Sequence, residues 1–338
     1  MRLRTSDPKT PGLRRIRHGR GFRYTDARGT ALRDHEDLER IRTLAIPPAW
    51  TQVWISPWAN GHIQALGTDA AGRRQYLYHP QFRARQDAAK HEHVLGLAAR
   101  LPDVRTRVEG DLRQRGLTRD RVLGCAVRLL DLGFFRIGSD SYARENGSYG
   151  LTTLLREHVT CRAGEVEFDF PAKSGRQRVQ TLTDEAACRA VTALRRRRGG
   201  GDRLLAYWRQ GAWHEMHGDE LNTHLKELTG LDVSAKDFRT WHATVLAAVG
   251  LAVSEQMVDQ APGLRRRAEA RTVREVADYL GNTPAVCRAS YINPRLFELY
   301  EDGHTISSAL PALGSDARYG LPGTQGPVEK AVRDLLAR

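Results

Sequence analysis

The chain has 338 residues, 40% of them hydrophobic, and a formal net charge of +13 with a pI near 10.0. That length allows two or three domains with real cores, and no run of about 20 apolar residues predicts a membrane span. The charge excess is mostly arginine, which points to a polyanionic partner. Cysteines at 125, 161, 188 and 287 lack the paired spacing of a zinc cage or a disulfide framework, which fits a reducing cytoplasm.

Residues 1–20 are basic, contain proline and glycine, and lack the apolar core of a secretory signal; they predict a loose arm. From about 20 to 80 the pattern is short and β-like. GFRYTDARG reads as a strand and turn, WTQVWIS alternates imperfectly, and HIQALGTDAAGRRQYLYH reads as two strands joined by a Gly/Asp turn. Helical spacing takes over from Arg83 to Leu101, and RDRVLGCAVRLLDLGFF (119–135) is strongly amphipathic. The expected architecture is α+β: a small β-rich N-terminal domain (1–90) and a larger, mainly helical domain (91–338).

Within the second domain GEVEFDFPAKSGRQRVQTL predicts a β-hairpin. Val166, Phe168 and Phe170 share one face, and Lys173 falls at or near the tip. RRRRGGGD (195–202) predicts a flexible connector. Helices are expected at about 184–197, 219–229, 235–252, 265–281, 284–292 and 294–302.

Several chemistries have no signature here. There is no G-x-x-x-x-G-K-[ST] phosphate loop and no H-E-x-x-H. His214 and His217 form only a weak metal pair, and no paired acidic motif suggests a two-metal nuclease. No cofactor or metal is expected, so phosphate chemistry would have to run on cationic side chains. A metal-free transesterification needs an in-line nucleophile, cations on the non-bridging oxygens, and an acid for the departing sugar oxygen. Arginine suits the second task because it stays charged and forks onto phosphate.

Residues of those types occur in suggestive places. Arg136 follows the apolar helix at 119–135, and Lys173 sits on the hairpin. SAKDFRTWHATVLAAVG predicts a helix opened by a Ser234-x-x-Asp237 capping box, with Phe238, Trp241, Val245 and Val249 as its apolar stripe and Arg239 beside it. LGNTPAVCRASYINP predicts a short helix capped by Thr283, with Pro284 in its first position and Pro294 past its end, so Tyr291 falls at a helix terminus. Taken singly, each has an ordinary reading: Tyr291 as a buried phenol, the arginines as ion-paired surface residues, Lys173 as a turn lysine, Asn282 as a helix cap.

Taken in order, the set resembles the type IB DNA topoisomerases, most closely their compact poxvirus-like and bacterial branch. PPAW, GRRQYLYH, FRIGSDSYARENGSYGLTTL, KDFRTW and SYINP match in sequence over nearly the whole chain. The resemblance implies a monomer that closes as a clamp around double-stranded DNA in the cytoplasm, at the nucleoid, and relaxes supercoils without ATP or metal. It implies Tyr291 as nucleophile, Arg136 and Arg239 on the scissile phosphate, and Lys173 as acid toward the 5′-oxygen. Asn282, nine residues before the tyrosine, stands where the family usually has a histidine; an amide donates a hydrogen bond but cannot become cationic. Implied DNA contacts are Arg73, Arg74, Gln75, Tyr76 and Tyr78, together with Ser139, Ser141 and Tyr142. Strand alternation sets Tyr76 and Tyr78 on one face and Gln75 on the other, unless a bulge re-aims it.

Two rival readings remain. A tyrosine recombinase shares the Arg–Lys–Arg–Tyr order, but such enzymes usually show H-x-x-R where this chain has Lys236-x-x-Arg239, and they usually open with a helical domain. A non-catalytic basic DNA-binding protein would explain the charge but not the ordered set.

Overall fold

The computed structural model describes residues 2–255, 262–313 and 323–338. The chain divides into two compact units, Met1–Lys90 and His91–Arg338.

In the first unit β1 (Leu13–His18), β2 (Gly21–Thr25), α1 (His35–Thr43), β3 (Thr51–Ile55), β4 (Ile63–Thr68) and β5 (Arg74–Tyr78) follow one another. The strands form one antiparallel sheet in the order β2-β1-β3-β4-β5. Asp34 caps α1 by accepting the Asp37 N–H at 2.8 Å. Leu13, Ile41, Ile46, Val53, Ile55 and Ala65 make the core.

The expected loose arm is a correction, because β1 lies inside that stretch and pairs with both β2 and β3. Its pattern was masked by charge. Leu13 is buried, and the next inward residue is Arg15, whose guanidinium donates to the carbonyls of Ile46, Pro47 and Trp50 at 2.9, 3.0 and 2.7 Å. The imperfect alternation of β3 also has a local cause. Gln52 takes a φ of 49°, and the register with β4 shifts between Thr51 and Trp54, so Val53, Trp54 and Ile55 are buried in succession.

α2 (Pro80–Leu112) is longer than its expected span and buries Val94, Leu97, Leu101, Val104 and Val108 in the second unit. α3 (Arg119–Gly133), capped by Thr118, is buried along most of its length and stops where Phe134 turns left-handed at φ 54°. α4 (Asp140–Asn146) is short and exposed. β6 (Val159–Arg162), β7 (Glu165–Pro171) and β8 (Gln177–Thr183) form an antiparallel sheet in chain order. β7–β8 is the expected hairpin: Val166, Phe168 and Phe170 are buried while Glu165, Glu167 and Asp169 face out. β6 was not foreseen, nor was the hairpin of β9 (Ala206–Arg209) and β10 (Ala212–Glu215), whose strands are too short to show a period.

α5 (Glu185–Arg196), α6 (Gly218–Thr229), α7 (Ala235–Glu255), α8 (Pro262–Leu280), α9 (Pro284–Ser290) and α10 (Arg295–Glu301) lie close to the expected helices, and α11 (Pro327–Leu336) is additional. α7 packs against α3, α6, α8, α10 and α11. Its start is fixed by Asp237, whose carboxylate accepts the backbone N–H and the hydroxyl of Ser234 at 2.8 and 2.9 Å, a variant of the expected box. Phe238 and Trp241 are fully buried, and truncating such a side chain costs about 3–5 kcal/mol.

A polar cluster crosses this core. Arg105 of α2 donates to Asp131 of α3 at 2.8 and 2.9 Å and to Glu329 of α11 at 2.6 and 3.0 Å. The Trp241 indole N–H donates to Glu329 at 2.8 Å. These contacts fix α7 between α3 and the C-terminal helix.

Candidate active site

The end of α8 is where the site assembles. α8 closes in a Schellman turn: Asn282 N–H donates to Ala277 O at 2.9 Å and Gly281 N–H to Asp278 O at 3.1 Å. The next carbonyls have no intrahelical donor, and arginines supply one to each. Arg178 Nη2 donates to Tyr279 O at 3.0 Å, Arg239 Nη2 to Leu280 O at 2.9 Å, and Arg136 Nη2 to Gly281 O at 3.0 Å. Cations gather here because a helix C-terminus carries partial negative charge.

Each arginine arrives on a different element. Arg239 lies in the second turn of α7; it is 3% exposed and also donates through Nη1 to the Phe134 carbonyl, which the left-handed turn after α3 aims at it. Arg136 follows two residues later. Its backbone is pinned by Leu151 N–H donating to Arg136 O and Thr152 N–H to Ile137 O, both at 2.8 Å. That crossing is tight: a Cβ on Gly150 would fall 2.6 Å from Gly138 Cα and 2.7 Å from Arg136 O, and Gly138 itself takes a φ of 99°.

Asn282 turns its side-chain oxygen to Arg136 Nη2 at 2.6 Å. A guanidinium only donates, so the atom facing it is the oxygen. The amide nitrogen is shielded from solvent and has no partner among the described residues. Asn282 does not cap α9; Thr283 does, accepting the Val286 N–H, with Pro284 at the start of the helix.

Tyr291 forms the C-terminal cap of α9, at the helix end where the sequence put it. It is 8% exposed, and the Arg239 guanidinium lies 5.3 Å from its ring centroid. Burial alone would raise the phenol pKa. The charges of Arg239, Arg136 and Lys236 outweigh burial and hold it below the usual tyrosine value. Burial in turn pushes the Arg239 pKa down, helped by Arg136 and opposed by Tyr291. Thr244, also on α7, donates from its hydroxyl to Tyr291 O at 3.3 Å and accepts the Asn293 N–H at 3.1 Å. One helix therefore positions both Arg239 and the tyrosine backbone.

Lys173 sits in the exposed turn Lys173–Gly175 at the hairpin tip. It lines a cavity of about 270 Å³ together with Arg136, Arg178, Arg239 and Tyr149. The site thus gathers Arg136, Lys173, Arg239, Asn282 and Tyr291. Arg178, Lys236 and Thr244 were missed.

The candidate DNA contacts divide. Arg74, Tyr76 and Tyr78 occupy one exposed face of β5, the tyrosine rings stacked at 5.9 Å. The tyrosines therefore do not pack in the β core. Gln75 faces the other way and donates to Asp69 at 2.9 Å; Arg73 pairs with the same carboxylate at 2.9 Å. Ser139 and Ser141 share a hydroxyl–hydroxyl hydrogen bond of 2.9 Å at the start of α4, and Tyr142 is exposed. Among the described residues no group of His, Cys, Asp and Glu is placed to hold a metal ion, and no helix is long and apolar enough to cross a membrane.

The family model for the eukaryotic DNA topoisomerase I catalytic core matches residues 79–304, and the model for the bacterial DNA topoisomerase IB N-terminal domain matches residues 21–69. The chain belongs to this family, the type IB DNA topoisomerases. It is an isomerase that acts on DNA. It is similar to DNA topoisomerase 1B of Acanthamoeba polyphaga mimivirus, 29% identical over 275 residues, covering 79% of this chain and 81% of the relative. DNA topoisomerase 1B of vaccinia virus (strain Copenhagen) is 18% identical over 275 residues, 80% of this chain and 83% of the relative. DNA topoisomerase 1 of Schizosaccharomyces pombe is 25% identical over 254 residues, 73% of this chain but 29% of the relative.

Proposed function

We propose that the protein relaxes supercoiled double-stranded DNA through a 3′-phosphotyrosyl intermediate, with neither ATP nor metal. The phenol of Tyr291, ionised in the field of the arginines, attacks the scissile phosphorus. The new bond is Tyr291 Oη–P, and the bond that breaks is P–O5′. Lys173 gives its proton to the departing 5′-oxygen. Arg136, Arg239 and the free amide N–H of Asn282 receive the charge that builds on the non-bridging oxygens. The free 5′-hydroxyl end swivels, then attacks phosphorus in reverse, returning its proton to Lys173 and releasing the tyrosine.

The observation that carries this reading is the position of Tyr291 beside Arg239 and Arg136, neither of which has a carboxylate within 4.0 Å among the described residues. Their charge is left for an anion. Arg105 and Arg128, by contrast, are ion-paired and structural. We assign residues 1–90 and 91–338 as the two domains of a monomeric clamp around the duplex, with Arg74, Tyr76 and Tyr78 on the DNA-facing side of the first and Ser139, Ser141 and Tyr142 on that of the second. The protein then works at the nucleoid.

The test is denaturant trapping of a covalent protein–DNA adduct in EDTA without nucleotide. Wild type is expected to form the adduct at Tyr291, and Tyr291→Phe to form none. An adduct mapped to another residue, or relaxation that stops in EDTA, overturns the assignment.

A further inference from the structure

Arg178 belongs to no part of the mechanism just described, yet it occupies the same cavity as Lys173, Arg136 and Arg239. It lies on β8, opposite Phe170 of β7, on the inward face of the hairpin. Burial, with Arg136 nearby, lowers its pKa. No carboxylate lies within 4.0 Å of it among the described residues. It is held by neutral acceptors: Gln180 Oε1, at 3.0 Å from Nε and 2.8 Å from Nη2, and Tyr279 O, at 3.0 Å from Nη2.

The contacts continue on both sides. Gln180 Nε2 donates to Gly133 O at 2.7 Å, at the end of α3 and three residues before Arg136. Tyr279 O is the first of the carbonyls at the end of α8, three residues before Asn282. A relay Gly133–Gln180–Arg178–Tyr279 therefore ties the hairpin to the two segments that carry Arg136 and Asn282. Beyond Arg178 the hairpin has only one further ladder pair, Pro171 with Gln177, before the turn that carries Lys173. Carbonyl ligation of an arginine is not in itself diagnostic. Arg197 donates to Leu194 O, Leu204 O and Gly200 O at 2.7, 2.8 and 3.0 Å, but these acceptors belong to its own helix end and the loop that follows. Arg178 instead joins two distant segments, and it does so at the base of the turn that carries the proton donor.

From this geometry we infer that Arg178 is a positioning residue of the cleavage step: it anchors the hairpin to the end of α8 so that Lys173 meets the departing oxygen. The inference rests on the reading of Lys173 as the acid. Misplacing a catalytic group by about 1 Å can cost about 100-fold. The defect of a positioning variant should be confined to the step that the misplaced group serves.

The experiment is single-turnover cleavage of two DNA substrates, one with the natural 5′-oxygen and one with a bridging 5′-sulfur, whose departure needs no proton. Wild type, Lys173→Ala, Arg178→Ala, Arg178→Lys and Gln180→Ala are compared, with melting temperatures measured alongside. Lys173→Ala is expected to be slow on oxygen and restored on sulfur. Arg178→Ala is expected to be slowed about 10–100-fold on oxygen and restored to within about 3-fold of wild type on sulfur. Arg178→Lys keeps the charge but loses the fork, and Gln180→Ala breaks the relay from its neighbour; both should share that dependence on the leaving group at a smaller size. If Arg178→Ala fails to fold, these two variants decide. Equal slowing on both substrates, with Lys173→Ala still rescued, overturns the inference and leaves the acid in place. Loss of rescue in Lys173→Ala removes the acid reading itself, and the positioning role with it.

Discussion

Arg136 and Asn282 are bound through a single nitrogen: Nη2 of the arginine donates to the Asn282 side-chain oxygen at 2.6 Å and to the carbonyl of Gly281 at 3.0 Å. The contact fixes the orientation of the amide, because the oxygen faces the guanidinium and the nitrogen is left as a donor with no partner among the described residues. On the proposed reading, an asparagine here would supply by a neutral hydrogen bond what an imidazole supplies by charge.

Asn282→Ala is expected to slow cleavage about 10–100-fold, as the loss of one neutral donor to developing charge. Asn282→Asp should be at least as slow, since a carboxylate would still hold Arg136 but could not donate. The wild-type pH–rate profile is expected to lack a step near the histidine pKa of about 6.5, and Asn282→His to acquire one. A wild-type step in that range that disappears in Asn282→Ala would contradict the assignment.

The phenol of Tyr291 sets a second pH dependence. Burial raises its pKa, but Arg239, Arg136 and Lys236 bring the net value below the usual one of about 10. The reactive phenolate fraction rises with pH through the folded-state pKa, so the midpoint of that rise in cleavage should fall below about pH 10. Arg136→Ala removes a cation and should move the plateau to higher pH as well as lowering it. An unchanged midpoint in that variant, read by single-turnover cleavage across pH, would separate Arg136 from the phenol.

Arg239 has two tasks that substitution can separate. It lies beside Tyr291, and it cross-links the part-buried Phe134 O to the buried Leu280 O. Arg239→Ala is expected to lose about 10²–10⁴-fold in cleavage and also to destabilise the fold, because one buried and one part-buried carbonyl lose this donor. Arg239→Lys should retain more stability than activity, since one ammonium cannot fork to both carbonyls. Denaturant unfolding alongside cleavage rates checks this; equal losses in both would refute the division.

The Arg105–Asp131–Glu329 cluster should govern acid stability. Burial alone would raise the Asp131 pKa, but Arg105 pulls it below the usual value of about 3.9. A carboxyl whose folded-state pKa is depressed contributes stability above its unfolded pKa and loses it as pH falls through the folded one. Asp131→Asn is therefore expected to cost about 3–5 kcal/mol at neutral pH by leaving Arg105 partly unpaired. The gap to wild type should narrow below about pH 4. A constant difference across pH in urea unfolding would exclude the linkage.

Much of the helical unit was legible because its elements are long and their punctuation is local. Thr283-Pro284 and Pro294 bracket α9 and put Tyr291 at its end before any contact is known. The catalytic candidates were found through their order along the chain; what brings Arg136 and Arg239 together, carbonyls at the end of α8, has no side-chain signal. Arg178 was recoverable in principle. Val166, Phe168 and Phe170 are paired across the hairpin with Leu182, Gln180 and Arg178, so two polar residues stand at inward positions of a half-apolar sheet. β1 was lost for the opposite reason, an inward arginine in a basic stretch satisfied by carbonyls more than thirty residues away. For Gln75, the plain alternation of the strand is what the structure follows, and its amide turns to Asp69.

The crossing of Gly138 and Gly150 has a consequence for descent. One position is limited by backbone angle and the other by the 2.6 Å that a methyl group would have to share with its neighbour. Neither can be repaired by changing the other, so no sequence of single tolerated replacements leads away from the pair. Lineages that keep this loop crossing should inherit both glycines unchanged even where the surrounding surface has been rewritten.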